Sequence, residues 1–243
     1  MADSLVKLNQ RSDLVNMKRV SVSRKKFSNG EVYTRVCDNI RRKNVYVVMS
    51  GYSFEDWSIN DTFVETLVLL DACKRADVAS ITLICPCFPY IRQDKKQQSR
   101  EPISAKVMAG CIEKYVNRVA VVDSHFSQFQ GFFDIPVDNL YCVYGFCHYI
   151  ADNYLGQLGQ NRDMYVLVSP DGGGAKRIEH YARLLEMNHV IMNKKRDYTK
   201  SNSVISTELY NESETNMLEG KYAIVIDDII DSAGTINESC KTL

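Results

Sequence analysis

The sequence predicts an α/β protein made of two tandem halves with mainly parallel sheets, and three observations carry that expectation. Short runs rich in β-branched residues alternate with longer stretches whose apolar residues recur every three and four positions. The alternation halts near the middle of the chain and then begins again. The unusual polar stretches fall where an apolar strand gives way to a helix, the edge at which open α/β sheets gather ligands.

In the first half the strand candidates are "NVYVVMS" (44–50), "SITLIC" (80–85) and "RVAVVD" (118–123). Between them "FVETLVLLDACKRA" and "SAKVMAGCIEKY" read as amphipathic helices, so successive strands should lie parallel with helical crossovers. The second half opens with the strand "MYVLVS" (164–169), continues through the helix "GAKRIEHYARLLEM" and the strand "HVIMN", and reaches the strand "YAIVID" (222–227). The boundary is placed near "NLYCVYGF", giving domains 1–143 and 144–243. The polar stretches "DYTKSNSV" and "YNESETNMLEG" are expected to be loops.

The 243 residues carry thirty basic and thirty acidic side chains, a formal net charge of +0, and the pI is about 6.9. Bulk attraction to nucleic acid is therefore not expected, and any phosphate site must be a local arrangement. No apolar run approaches the roughly 20 residues needed to cross a bilayer. The first nineteen residues hold no signal-peptide core, so the expectation is a cytoplasmic protein with no membrane partner. Eight cysteines occur without a C-x-x-C pair, which suits reduced, packed thiols better than disulfides or a zinc site.

The stretch "VIDDIIDSAGT" (225–235) ends an apolar strand in two acids and then runs through small residues. Backbone N–H groups of residues 232–235, two hydroxyls and the following helix N-terminus can hold a phosphate without a lysine. Asp227 and Asp228 then suit vicinal sugar hydroxyls, because carboxylates accept two hydrogen bonds. The blander reading is a strand followed by a helix with Asp231 as its N-cap.

This string resembles the ribose-phosphate loop of type I phosphoribosyltransferase-fold proteins. The segments "FSNGE", "CPCFPYIRQDKK", "REPISAK", "QGFFDIPVDNLY" and "VSPDGGGAKR" resemble, in the same order, the ribose-phosphate diphosphokinase family in its eukaryotic-like class. The resemblance runs from about Phe27 to the end. It implies two tandem type I phosphoribosyltransferase-like domains, and transfer of the diphosphoryl group of ATP to the C1 hydroxyl of ribose 5-phosphate. The products would be 5-phosphoribosyl 1-diphosphate, used in nucleotide biosynthesis, and AMP.

Residue roles follow from that resemblance. Phe27, Asn29 and Glu31 match a loop that holds the adenine of a neighbouring subunit, although "NG" alone signals only a hairpin turn. Arg92, Gln93, Asp94 and Lys95 match the ATP-binding "RQD" segment, where a guanidinium pairs with phosphate oxygens. Asp123 and His125 match a magnesium-associated pair, with Asp134, Asp138 and Asp171 as further metal-linked acids. The ribose 5-phosphate set is Asp171, Arg196, Asp227, Asp228, Asp231, Ser232, Ala233, Gly234 and Thr235. Lys194 and Arg196 match a catalytic pair on a loop, able to stabilise charge on the transferred group, whereas Lys195 reads as a solvent-facing base. The implied cofactor is Mg2+, the implied small-molecule partners are ATP and ribose 5-phosphate, and the implied assembly is a homo-oligomer up to a hexamer, or a hetero-oligomer with related subunits.

Four departures accompany the match. The chain has "DSHF" where the family reads "DLHA", an insertion around "SGYSFEDWSIND", a longer segment after Arg196, and a compressed "VKLNQRSDLVNMKRV" near the N-terminus. Family members continue through further strands and helices, so the second sheet is expected to be incomplete. An ordinary phosphoribosyltransferase would have no use for "RQD" or "FSNGE". The alternative function is a catalytically weak regulatory subunit of the same fold, associated with a synthetase.

Overall fold

The computed structural model describes residues 17–156, 159–196, 204–209 and 217–243, with the side chains of 194–196 and 204–209 outside that description. The chain divides into two compact units, Met1–Leu140 and Tyr141–Leu243.

Unit 1 opens with an antiparallel hairpin, β1 (Val22–Lys26) and β2 (Val32–Val36), registered from Val22 opposite Val36 to Lys26 opposite Val32. Gly30 supplies the positive φ of 90° that the tight turn needs. The sheet that follows is parallel throughout, in the order β3 (Asn44–Val48), β4 (Ser80–Cys85), β5 (Arg118–Val122), β6 (Val137–Leu140). Helix α1 (Ile59–Arg75) joins β3 to β4, and α2 (Ser104–Ile112) joins β4 to β5. The alternation in β4 buries Ile81, Leu83 and Cys85 on one face.

The start of α1 is fixed by a capping box: Ser58 Oγ accepts from Asp61 N–H, while the Asp61 carboxylate accepts from Ser58 N–H. Phe63, Leu70 and Cys73 bury one stripe of the helix, and Lys74 and Arg75 lie in its last turn, where the dipole favours cations. The buried hydroxyls of Thr62 and Thr66 donate to carbonyls one turn back, so they bring no unpaired polar atom into the core.

Unit 2 begins with α3 (Val143–Ile150), extended by a π-helical turn Ala151–Leu155. Its sheet has the order β10 (Tyr222–Val225), β7 (Tyr165–Ser169), β8 (His189–Arg196), β9 (Val204–Leu209). The pairs β10–β7 and β7–β8 are parallel and β8–β9 is antiparallel. Strand β7 is central and buried on both faces. Leu167 joins a cluster with Val143, Ile178 and Leu185 from the helices, and Val166 and Val168 join Val190 and Met192 on the other side. Helix α4 (Ala175–Leu185) follows β7, and α5 (Gly234–Thr242) follows β10.

Sequence patterning located these α/β elements but missed five. Strands β1, β2, β6 and β9 and helix α3 had no strand or helix assignment. Strand β8 also runs beyond the expected "HVIMN" to Arg196, so the backbone of Lys194 and Arg196 lies on a strand paired with β9, not on a free loop. A register irregularity between Lys195 and Arg196 interrupts that ladder.

Candidate active site

In unit 2 the order β10–β7–β8 has a topological switch point. The chain leaves β7 towards β8 on one side, and later returns as β10 on the other. The loops beyond the carboxyl ends of β7 and β10 therefore flank the switch point, the ligand position in this class of sheet. The β7 loop carries Asp171 and the β10 loop carries Asp227, Asp228 and residues 231–235.

Beyond β7, the Asp171 carboxylate accepts from Gly173 N–H at 2.9 Å and caps the short 3-10 turn Gly172–Gly174. The fully buried Ser169 hydroxyl donates to the Asp171 carbonyl at 2.8 Å. Gly174 approaches so closely that a Cβ there would lie 2.3 Å from Ser169 Oγ. The glycine at this position is required by contact, since its φ of −84° suits any residue.

Beyond β10, Asp228 N–H donates to Asp227 Oδ1 at 2.9 Å. Arg177, in the first turns of α4, places Nη2 3.1 Å from Asp228 Oδ2 and Nη1 3.7 Å from Asp227 Oδ1. Burial pushes the Asp227 carboxyl up to about 6, reinforced by its hydrogen bond with Asp228 and by the Asp171 charge. The guanidinium sits nearer Asp228 than Asp227, so it pairs chiefly with Asp228. Arg177 was not singled out in the sequence; its place in the first turns after a glycine-rich turn was the available signal.

Helix α5 starts at Gly234 with Ala233 at its N-cap in the left-handed region, φ 58°, a residue whose methyl group cannot cap it. Asp231 is exposed and is not the N-cap, contrary to the blander expectation, because the chain needs the left-handed turn at Ala233 before the helix can begin. Ser232 and Gly234 are exposed and Thr235 is half-buried at this helix start.

In unit 1, Asp123 follows β5 in a left-handed conformation, φ 42°, and donates its N–H to Leu140 O. Ser124 N–H donates to Asn139 Oδ1, and its hydroxyl donates to Phe126 O at 2.9 Å. The Phe126 ring packs against Phe129 and Phe132 at 5.8 and 5.3 Å between centroids. Both residues of the "DSHF" departure thus help to shape the exposed turn that carries His125.

Asp134 and Asp138 do not join Asp123 and His125. The 3-10 helix Ser127–Phe132 carries the chain back to the amino edge of the sheet, where Asp134 N–H donates to Glu113. Asp138, early in β6, pairs with Arg118 at the start of β5, 2.7 Å away. A single metal shell shared by these four residues does not match that placement. Among the described residues no group of three or more His, Cys, Asp or Glu side chains is placed to hold a metal by itself.

The 27–31 turn is closed by Phe27 N–H to Glu31 O at 2.8 Å, and Asn29 Oδ1 accepts from Glu31 N–H. Phe27 is 42% exposed at the tip, with Lys25 Nζ 4.5 Å from its ring centroid. The "RQD" segment is a turn entered through Tyr90 in the left-handed region, with Gln93 N–H donating to Tyr90 O. Arg92, Gln93 and Lys95 are exposed, Asp94 is half-buried, and the Ser104 hydroxyl at the start of α2 donates to Gln93 Oε1. The backbone of Lys194 and Arg196 is described on β8, while their side chains lie outside the described part.

An α/β sheet whose switch point gathers Asp171, Asp227 and Asp228 beside a helix start, preceded by a unit with a parallel sheet and a hairpin, defines a phosphoribosyltransferase-type protein with an added N-terminal unit. Two family models match it: the N-terminal domain of ribose phosphate pyrophosphokinase over residues 6–115 and the phosphoribosyl transferase domain over residues 146–243. The chain is similar to ribose-phosphate pyrophosphokinase 2 of Saccharomyces cerevisiae, 40% identical over 218 residues, which is 89% of this chain and 64% of that protein. It is also similar to the crystal structure of phosphoribosylpyrophosphate synthetase from Mycobacterium smegmatis, with a TM-score of 0.78 and 30% identity over 97% of this chain and 72% of that one. The chain belongs to the ribose-phosphate pyrophosphokinase family, and it spans about two thirds of the length of these relatives.

All eight cysteines are free. Among the described residues no helix is long and apolar enough to cross a membrane.

Proposed function

We propose that this chain transfers the diphosphoryl group of ATP to the C1 hydroxyl of ribose 5-phosphate, giving 5-phosphoribosyl 1-diphosphate and AMP. The observation that carries this reading is the switch point of unit 2 and the acids its loops gather. It sets Asp227 beside Asp228, which pairs with Arg177, next to the start of α5. Family membership and the exposed "RQD" and 27–31 turns support ATP as the donor.

In this reading the sugar 5-phosphate sits on the backbone N–H groups of Ser232, Ala233, Gly234 and Thr235 at the start of α5. Asp227 and Asp228 accept from the ribose hydroxyls, with Asp231 at the rim. Arg177 pairs with these acids and holds them in place. Arg92, with Gln93, Asp94 and Lys95, receives the triphosphate, and Phe27, Asn29 and Glu31 receive the adenine of the ATP on a neighbouring subunit. Lys194 and Arg196 stabilise charge that builds on the transferred group, and Arg196 also meets the ribose phosphate.

Magnesium suits the donor chemistry of Asp171 and Asp227. Both are carboxylates at the same sheet edge, and magnesium ordinarily takes one or two carboxylates with the rest of its shell from water and phosphate. Asp123 and His125 are its proposed holders in unit 1. Bound there, the ion would neutralise phosphate charge and orient the donor. The same reading places the chain in a cytoplasmic oligomer.

The test is AMP release from ATP in the presence of magnesium. AMP formation that requires ribose 5-phosphate and falls in Lys194→Ala supports the reaction. ADP as the product, or AMP release indifferent to ribose 5-phosphate, refutes it. Co-purification with an intact synthetase and no activity alone would favour the regulatory-subunit alternative.

A further inference from the structure

Within unit 1, the first turn of α1 touches both segments read as ATP-binding. Asn60 Oδ1 accepts the Tyr90 hydroxyl proton, and Tyr90 stands two residues before Arg92. The next residue, Asp61, takes Lys26 Nζ on Oδ2 at 2.8 Å, and Lys26 immediately precedes Phe27. Consecutive helical side chains diverge by about 100°, so one turn can serve two neighbours on different sides.

The Asp61 carboxylate is itself immobilised. It accepts from Ser58 N–H and from Ser58 Oγ while holding Lys26, so the helix cap and the hairpin anchor share one group. The inserted stretch before the cap adds a second anchor. Phe54 and Trp57 form a two-residue bridge with parallel rings, and the Arg24 guanidinium lies 4.7 and 5.2 Å from their ring centroids. Lys26 Nζ also donates to Asp56 O at 3.0 Å, and Arg24 Nη1 is 3.8 Å from Glu65. A two-stranded hairpin has little stability of its own, so these contacts decide where its turn points.

We propose that residues 54–61 act as a positioning device, setting the 27–31 turn and the 92–95 turn in fixed relation so that both present their side chains to one kind of ligand, ATP. This inference rests on the reading of those turns as ATP-binding. Ser58, Asn60, Asp61 and Trp57 are positioning residues and touch no ligand themselves.

The test uses Lys26→Met and Tyr90→Phe in the full 243-residue chain. Each removes one polar tip and leaves the Ser58–Asp61 cap intact. Hydrogen exchange is followed at the amides of the two turns, and calorimetry gives the affinities for ATP and for ribose 5-phosphate. Lys26→Met should speed exchange in the 27–31 turn, and Tyr90→Phe should speed it at Gln93. Each should weaken ATP binding about two- to tenfold, the range of one lost hydrogen bond, with ribose 5-phosphate binding unchanged. Unchanged ATP affinity in both variants, or equal losses for both ligands, overturns the positioning role. If the unaltered chain binds no ATP, the functional reading fails, and this inference fails with it.

Discussion

Replacing Gly174 by Ala tests how tightly the Asp171 turn is built. The added Cβ would lie 2.3 Å from Ser169 Oγ, well inside contact distance. Ser169 is fully buried at the end of the central strand β7, and its hydroxyl is engaged by Asp171 O at 2.8 Å. To make room the hydroxyl must rotate away, which loses that bond and leaves a buried polar group unsatisfied. Overpacking and a lost buried hydrogen bond each cost about 1–3 kcal/mol, and because one motion causes both, the sum is about 2 kcal/mol. Ser169→Ala alone removes the bond at about 1 kcal/mol. With the hydroxyl gone, the nearest atoms to the new Cβ are the residue-169 Cβ at 3.6 Å and Arg177 Nη1 at 3.7 Å, both ordinary contacts. Adding Gly174→Ala to that background should therefore be neutral, or stabilising by about 0.5 kcal/mol through reduced chain entropy. Urea unfolding of the four proteins reads this as a midpoint drop of about 1 M for Gly174→Ala in the original background and almost none in the second. If Gly174→Ala costs the same in both backgrounds, Ser169 is not the obstacle and the description of this turn is wrong.

Other outcomes follow from the same geometry. Gly51→Ala should be more damaging still, because its Cβ would lie 1.8 Å from the Cys87 carbonyl oxygen at a φ of 73°, and a backbone atom cannot rotate away; soluble yield and urea midpoint check this. Lys26, through its hydrogen bond, and Ser58 hold Asp61 down at about 2, so its contribution to folding is present above the ordinary 3.8 and is lost as pH falls towards 2; in Lys26→Met, carboxyl NMR should find Asp61 titrating higher. Asp227 is shifted the other way, to about 6, so its contribution is present below 3.8 and is lost as pH rises through 6. Asp228→Asn, which removes the neighbouring charge, should bring the Asp227 titration down, and no movement would refute the coupling. Lys194→Ala should lower kcat about 10²–10³-fold with ATP affinity retained, the loss typical of one donor to developing charge, as steady-state kinetics will show.

Much of the fold was legible because burial leaves a period in the sequence. The alternation in "SITLIC" and the continuous apolar "YVLVS" mark strands with one and two buried faces, and the structure places them so. Strand β6 was missed because "VDNL" carries two polar residues whose side chains serve other purposes: Asp138 pairs with Arg118, and Asn139 accepts from Ser124 N–H. Strand β9 was hidden by its polar flanks, and its partner's irregularity near Arg196 left no repeat to read. At the candidate site, the acids beyond β10 and Asp171 beyond β7 could be located from strand ends alone. Arg177 could not, because its role depends on the β10 loop returning beside β7, a tertiary event some fifty residues later. Asn60 and Asp61 were hidden for the same reason, since a capping box announces a helix start but not what the cap also holds.

Phosphorus NMR of ATP and ribose 5-phosphate incubated with the chain and magnesium tests the central claim most directly. The account predicts that both terminal phosphorus atoms of ATP leave together and appear as a diphosphoryl ester on ribose, with AMP in equal amount. Resonances of ADP and a ribose bisphosphate, which mean transfer of one phosphoryl group, would contradict it.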